Sequence, residues 1–382
     1  MQKERLVPEI RFSGYNTEWN LKTLEQIAEI TFGQSPLSIY YTDKKTDHIL
    51  VQGNADVKNR WVYPRIYTSQ ITKRAFVGDI IFSVRAPVGS VARSNYDIVI
   101  GRGVAAIKGD DFIYFNLLWK EISQFWKSKS SGSTFDSIAS LELDQSEISV
   151  PSDLSEQQKI GTFFSNLDSL IQSQELKLKK LNEVRQSLLS KMFASKNQKF
   201  PEIRFKGFEE EWNINALNEL INKFDNLRIP VSEKSRTKGE FPYYGANGIQ
   251  DYVSGYTHDG EFVLVAEDGA NDLNNYPSKY VNGKFWANNH VHVIQGKENI
   301  LNNKFLSFSL KNFDFKPILT GGERTKLNAS ALATIEINKP FINEQQKIGQ
   351  FLSSLEYLIC SQELKLEKLN NIKQALLEKM FC

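Results

Sequence analysis

Residues 156–193 read EQQKIGTFFSNLDSLIQSQELKLKKLNEVRQSLLSKMF, and residues 344–381 read EQQKIGQFLSSLEYLICSQELKLEKLNNIKQALLEKMF. At this offset of 188, 26 of the 38 aligned positions are identical and most others are conservative, such as Val184 against Ile372. A second repeat has an offset of 193: PEIRF at 8–12 returns at 201–205, and Gly14 and Trp19 return as Gly207 and Trp212. Residues 20–155 and 213–343 share no alignable run. The order is short head, variable insert, helix, and the same again, which is a duplicated frame with two different payloads.

The repeated segment has the three-four spacing of an amphipathic helix. Its apolar stripe runs through Ile160, Phe163, Phe164, Leu167, Leu170, Ile171, Leu178, Leu181, Val184, Leu188, Leu189 and Met192, interrupted by the polar Gln174. The second copy has Ile348, Leu352, Leu355, Ile359, Gln362, Leu366, Leu369 and Leu376. Ser155 with Gln158 predicts a capping box, and Asn343 predicts the second cap. About 38 residues at roughly 1.5 Å each make a rod near 57 Å, too long for a small domain. The spacing predicts two helices packed antiparallel as a coiled-coil spacer, with Gln174 and Gln362 fixing register. Shared polar residues (Lys159, Gln174, Glu175, Lys177, Lys180) predict two equivalent partner surfaces, and recent duplication is the alternative explanation.

The 382 residues carry 47 basic and 45 acidic side chains, a formal charge of +2, so overall charge offers no argument for nucleic acid. With 41% hydrophobic residues the chain is globular, not disordered. Two cysteines exclude a disulfide scaffold and a Cys-rich zinc module. The start, MQKERLVPEIRF, has no apolar signal core, and no window approaches 18 apolar residues. A soluble cytoplasmic protein with no membrane partner is expected.

Both inserts read as short strands broken by glycine and proline, followed by one helix near 112–127 or 302–312. Two compact mixed α/β domains of one underlying fold are expected, closed by glycine turns at 131–138 and 321–328. Residues 58–108 hold Lys58, Arg60, Arg65, Lys73, Arg74, Arg85, Arg93, Arg102 and Lys108 against Asp79 and Asp97, a local excess of +7. Tyr63, Tyr67, Thr68 and Ser69 are interleaved. In the second insert the candidates are Tyr243, Tyr244, Asn247, Asn271, Lys279, Asn288, Asn289, His290, Arg324 and Lys326. Cations suit phosphates, and Arg, Lys, Asn and Gln suit base edges. A solvated surface explains such composition equally well.

Catalytic signatures are missing. There is no Pro-Pro pair, hence no amino-methyltransferase motif, and no GxxxxGK[ST] loop. GRGVAA at 101–106 mimics a dinucleotide loop, but Gly109, Asp110 and Asp111 are expected to break the helix that must follow. His290 and His292 share one face of a strand without a clear carboxylate partner, so a satisfied or DNA-facing pair is expected and no metal site. Glu267-Asp268 precedes Gly269 in a presumed turn, which makes no nuclease. No catalytic residue is assigned.

The chain as a whole resembles the specificity subunit of a type I restriction–modification enzyme. The resemblance rests on EQQKIG and LL-x-KMF in both copies, and on VGDIIFSVRAPVGSVA (77–92) and IGRGVAA (100–106) in the first insert. In the second it rests on YYGANGIQDYV (243–253), VLVAEDGAN (263–271) and NNHVHVI (288–294). It implies two target-recognition domains of similar mixed α/β fold, joined by two long antiparallel helices with an internal pseudo-two-fold repeat. The expected division is 1–154, 155–195, 196–342 and 343–382. It also implies a non-catalytic subunit that binds double-stranded DNA at a bipartite target, with two methyltransferase subunits and, through them, restriction/translocase subunits. S-adenosylmethionine, ATP and Mg²⁺ would belong to those partners, with no cofactor in this chain. A coiled-coil adaptor whose inserts bind proteins is the alternative.

Overall fold

The computed structural model describes residues 6–129, 136–195, 198–321 and 325–382. Most of the 131–138 turn and the centre of the 321–328 turn, with Arg324, lie outside the described residues. The chain divides into two units: residues 1–175 with 365–382, and residues 176–364. The repeated segments are continuous helices, Leu154–Lys191 and Ile342–Met380, and each is divided between the units.

Within the first unit, Phe164 meets Phe381 at 5.8 Å and Asp168 pairs with Lys373 at 2.5 Å. Positions rising along one helix meet positions falling along the other, so the pairing is antiparallel. The second unit has the same arrangement: Leu189, Met192 and Phe193 share a core with Ile348 and Leu352. Burial narrows the expected stripe to a seam with steps of four and three. Ile160, Phe164, Ile171 and Gln174 are buried, and Leu167, Leu178, Leu181 and Leu188 are half-buried. In the second helix Ile348, Leu352 and Ile359 are buried, and Leu355, Gln362, Leu366, Leu369 and Leu376 are half-buried. This is the period of 3.5 that defines a coiled-coil seam. Leu170 and Val184 fall outside it and are exposed, a correction to the wider stripe.

The caps also differ from expectation. The first long helix begins at Leu154, and Asp153 accepts the Ser155 N–H at 2.8 Å. Those bonds hold the Asp153 carboxyl below its ordinary range. Asn343 lies inside the first turn of a helix that begins at Ile342.

Each insert enters and leaves through a two-stranded antiparallel ladder: Asn20–Thr23 with Glu147–Val150, and Asn213–Ala216 with Glu336–Lys339. Each then builds a six-stranded sheet of equivalent order. In the first insert it runs Glu29–Phe32, Val104–Lys108, Ile80–Ser83, Val91–Arg93, Trp61–Val62, Val57–Lys58. In the second it runs Ile221–Lys223, Val291–Gly296, His258–Ala266, Ser278–Ala287, Lys238–Gly245, Gly248–Val253. In both, the fourth and fifth strands are the parallel pair. The first insert adds a five-stranded sheet, in the order Tyr41–Thr42, Ile66–Thr68, His48–Val51, Ile98–Ile100, Lys73–Ala75.

Frame and insert meet at the start of the insert helix, Asp111–Ile122 or Asn303–Lys311, and every repeated motif converges there. The arginine of PEIRF clamps the glutamate of EQQKIG: Arg11 on Glu156 at 2.6 and 2.7 Å, Arg204 on Glu344 at 2.8 and 2.7 Å. The following glutamine holds the insert helix cap. Gln157 donates to Asp110 at 2.8 Å, and Gln345 accepts from the Asn302 N–H at 2.9 Å. The glycine permits a close crossing: a Cβ on Gly161 would stand 2.8 Å from the Phe112 nitrogen, and one on Gly349 2.9 Å from the Phe305 nitrogen. Behind them an aromatic trio is made twice, Trp19 with Phe112 and Phe381, and Trp212 with Phe305 and Phe193. Lys159 over Phe12 and Lys347 over Phe205, both at 5.0 Å, hold the heads, so Lys159 is committed within the unit.

Candidate nucleic-acid interface

In the first unit the expected cations separate into two groups. Arg60 is bound to Glu121 at 2.5 Å and donates to the Val91 carbonyl at 3.1 Å. Arg93 is bound to Asp111 at 2.5 Å and lies over the Tyr114 ring at 4.1 Å. That ring is buried, and burial pushes its phenol up to about 12. Lys108 is bound to Glu29 at 2.9 Å. Thr68 is fully buried and bonds the Gln70 carbonyl. Arg93 and Thr68 are therefore structural, whereas Arg60 is tied through Nη1 alone and its side chain stays 40% exposed.

The second group is open. Lys58, Arg65, Ser69, Lys73, Arg74, Arg85 and Arg102 are exposed, and Tyr67 is half-buried. Arg65 donates to the Ala55 carbonyl at 3.0 Å and stands 3.8 Å from Asp56, which leaves part of its fork free. Lys73 and Arg74 lie on the edge strand of the added five-stranded sheet. Exposed apolar and aromatic side chains surround that segment in sequence, among them Tyr40, Tyr63, Ile71, Phe76 and Tyr96. Arg74 stands over Phe76 at 5.5 Å and Lys58 over Tyr63 at 5.5 Å. Accessible cations interleaved with exposed rings suit a phosphate backbone with base faces nearby.

The GRGVAA segment has a different meaning from its mimicry. A Cβ on Gly103 would lie 2.0 Å from the Gln52 carbonyl oxygen, and one on Gly33 2.1 Å from the Gly101 oxygen, so chain crossings demand glycine here. No helix follows the glycine loop directly, as expected: Val104–Lys108 is a strand. A helix begins at Asp111, and Asp110 caps it by accepting the Ile113 N–H at 2.9 Å. A strand separates the glycine loop from that helix N-terminus, so the phosphate site of a dinucleotide fold is not assembled.

In the second unit four loops close on one end of the six-stranded sheet. Asn247 donates to the Gly269 carbonyl and accepts from the Asn271 N–H, both at 2.9 Å. Glu267 N–H donates to His290 carbonyl at 2.9 Å, Leu327 N–H to Glu267 carbonyl at 2.7 Å, and Gly269 N–H to Thr325 carbonyl at 3.2 Å. On this knot Asn247, Asn271, Asn289 and Lys326 are exposed, and half-buried His290 lies 3.5 Å from Asp268. Lys279 is exposed on the Ser278–Ala287 strand.

Three candidates are core residues instead. Tyr243 is buried with its hydroxyl accepting from the Val231 N–H at 3.0 Å, and Tyr244 is buried with its phenol pushed up by that burial. Asn288 is buried and accepts the His290 N–H at 2.8 Å. Phenol and amide groups suit buried hydrogen bonds as well as base edges, so residue type alone does not separate the two roles.

Sequence reading missed what lies beneath the loops. Buried His292 bonds Asp225 at 2.7 Å and the Leu327 carbonyl at 2.9 Å, and Arg228 bonds Glu267 at 2.6 Å. Burial pushes the Asp225 carboxyl up, but His292, the Val293 N–H and Arg228 outweigh it, leaving the group below its ordinary value. The ligand atoms of Asp225, Glu267 and His292 lie within 4.8 Å of one another. The Arg228 guanidinium lies against both carboxylates (3.7 Å to Asp225) and Lys326 adds a second cation 3.5 Å from Glu267, so the set is an ion network anchoring the loops. His292 thus does have carboxylate partners, though they come from other segments. No helix among the described residues is long and apolar enough to cross a membrane.

Comparison with known proteins agrees with this architecture. Residues 16–184 and 209–374 each match the type I restriction modification DNA specificity domain. A putative type I restriction enzyme specificity subunit of Haemophilus influenzae is 50% identical over 162 residues, covering 42% of this chain and 41% of that protein. A type I restriction enzyme specificity subunit of Methanocaldococcus jannaschii is 25% identical over 95% of this chain and 92% of its own length. The fold is that of the S subunit of a type I restriction–modification system from M. genitalium, with TM-score 0.72, 17% identity, and 98% and 99% of the two chains covered. Two specificity domains on a duplicated helical frame place this chain in the family of type I restriction–modification specificity subunits.

Proposed function

We propose that the chain is the non-catalytic DNA-recognition subunit of a type I restriction–modification complex and reads an asymmetric, bipartite target. One observation carries the reading. Two inserts with different exposed chemistry, cationic and aromatic in one and amide-rich in the other, are held by equivalent attachments. Equivalent attachments present the two readers alike, and different surfaces make them read different half-sites. The long helices, near 57 Å by roughly 1.5 Å per residue, set the gap.

The frame carries a matching apolar pair in each unit. Leu170 and Ile372 flank the Asp168–Lys373 ion pair, and their equivalents Leu358 and Val184 flank Glu356 and Arg185. All four are exposed by 40–49%. One such patch per unit supports docking of two copies of one methyltransferase subunit, which would in turn carry the restriction subunits. S-adenosylmethionine, ATP and Mg²⁺ chemistry would reside in those partners, and the assembly would work in the cytoplasm.

Exchange of residues 20–155 for the insert of another family member tests the reading. Methylation sequencing should show one half of the modified motif changed and the other retained. A motif altered in both halves, or in neither, would overturn it.

A further inference from the structure

Each unit holds a cleft where the insert helix passes over the long helices, and the duplication makes each cleft a control for the other. The first, of about 690 Å³, is lined by Arg60, Arg93 and Lys373 and by Asp111, Asp168 and Glu175. Its cations are all answered, Arg60 by Glu121, Arg93 by Asp111 and Lys373 by Asp168, each at 2.5 Å. The second, of about 780 Å³, holds Arg185, Lys279, Lys304 and Lys311 with Glu356 as its single acid. Lys311 takes that acid at 2.6 Å. Lys304 has the neutral Gln350 amide at 3.2 Å, and Lys279 stands over the Tyr244 ring at 5.9 Å.

The equivalences show what changed. Gly161 abuts Asp111 and Phe112, while Gly349 abuts Lys304 and Phe305, so Lys304 stands where the first unit has an aspartate. At the offset of 188, Arg185 corresponds to Lys373 and Glu356 to Asp168. Glu356 is drawn away to Lys311, and Arg185 is left on the helical seam with its Nε buried and without a partner among the described residues. Ser278, only 9% exposed, lines the same cleft with an equally unpartnered hydroxyl. An arginine Nε–H and a hydroxyl held out of water with no acceptor are costly, and a ligand offering several anionic oxygens answers both.

We propose that this cleft of the second unit binds a phosphate group, held by Arg185, Lys304 and Lys279 with Ser278 donating to one oxygen. The backbone of the bound duplex is the source the geometry favours, and this part rests on the DNA-recognition reading. The cleft continues through Pro277, Ser278 and Lys279 into a smaller hollow under Asn247, at the loop knot described above. A phosphate held there lies beside the second reader and fixes its position without contributing sequence information.

The test compares the full chain with R185Q/K304Q, with the charge-retaining R185K, and with K373Q in the neutral cleft, each checked for a native melting curve. Duplex affinity is measured against salt, and pyrophosphate binding by calorimetry. Loss of backbone contacts should lower the magnitude of the salt slope by about 1 per cation removed, so by about 2 in R185Q/K304Q. The slope should be unchanged in R185K and K373Q, with the methylated motif unaltered. An unchanged slope, with pyrophosphate bound by the wild-type chain and lost in R185Q/K304Q, assigns the site to a free phosphate ligand. Neither effect, in a wild-type chain that does bind duplex, overturns the phosphate site and leaves DNA recognition standing. A wild-type chain that ignores duplex sinks the recognition reading, and the calorimetry alone then decides for or against the site.

Discussion

Arg11 forks onto Glu156 with two bonds of 2.6 and 2.7 Å, and the glutamate side chain is fully buried. The clamp joins the start of the chain to the start of the first long helix, 145 residues away, and Arg204 with Glu344 repeats it 140 residues apart. It explains why PEIRF and EQQKIG are kept in both copies, since neither half of a buried ion pair can change alone.

Removing one partner of such a pair strands the other. Glu156→Gln should cost the first unit about 3–5 kcal/mol, and Glu344→Gln the second unit the same. Chemical denaturation followed on each unit checks this. A loss below about 1 kcal/mol in either variant would mean that the clamp is dispensable.

Gly161→Ala opposes two effects. Alanine improves helix propensity by about 1 kcal/mol, but its Cβ would stand 2.8 Å from the backbone nitrogen of Phe112. Overpacking of about 1–3 kcal/mol should win, giving net destabilisation. A raised melting temperature would show that the helices do not cross so closely.

The separation of cations in the first insert gives a sharp contrast. Lys73→Gln with Arg74→Gln should lower the salt slope of DNA binding by about 2 and leave the melting temperature unchanged. Arg93→Gln should do the reverse, because its guanidinium is committed to Asp111 and Tyr114. Equal effects of the two changes on the slope would erase the distinction.

His258 gives the second unit an acid-side weakness. Burial pushes its pKa below the ordinary histidine value, against the opposing bond to the Phe224 carbonyl. The unfolded chain therefore takes up the proton first. Stability is complete above about pH 6.5 and declines as the pH falls through the lower folded value. The depressed Asp225 carboxyl adds a further loss below about pH 3.9. His258→Gln should flatten the decline between pH 7 and 5, measured as the unfolding midpoint of the second unit. A slope identical to wild type would exclude His258 as its source.

Leu170→Glu and Ile372→Glu charge one apolar patch, and Leu358→Glu and Val184→Glu charge the other. Each pair should remove one methyltransferase copy from the assembly, and all four should remove both, read by native mass spectrometry. Retention of both copies in the quadruple variant would refute docking at these patches.

The frame was legible because a repeat exposes its own residues: the helices, the seam from Ile160 to Leu188 and the convergent inserts all follow from it. The stripe came out too wide because a 3.6-residue pattern admits Leu170 and Val184, which the 3.5-residue seam excludes. Within the inserts, residue type misled wherever burial decided the role. Arg93 is taken by Asp111 from the following helix, Thr68 is buried and turned onto the Gln70 backbone, and Tyr243 is held by Val231. The His292 network was invisible because its partners Asp225 and Glu267 come from separate segments.

The core of the first unit takes Leu377 and Met380 from the end of the second long helix and Phe381 just beyond it, packed near Trp19, Phe112 and Phe164. The second unit is one uninterrupted stretch, residues 176–364. On a ribosome delivering the chain from its N-terminus, the later half can thus close its core while the earlier half still waits for its last aromatic ring. Residues 6–175 emerge first, yet their core stays open until Leu377, Met380 and Phe381 follow.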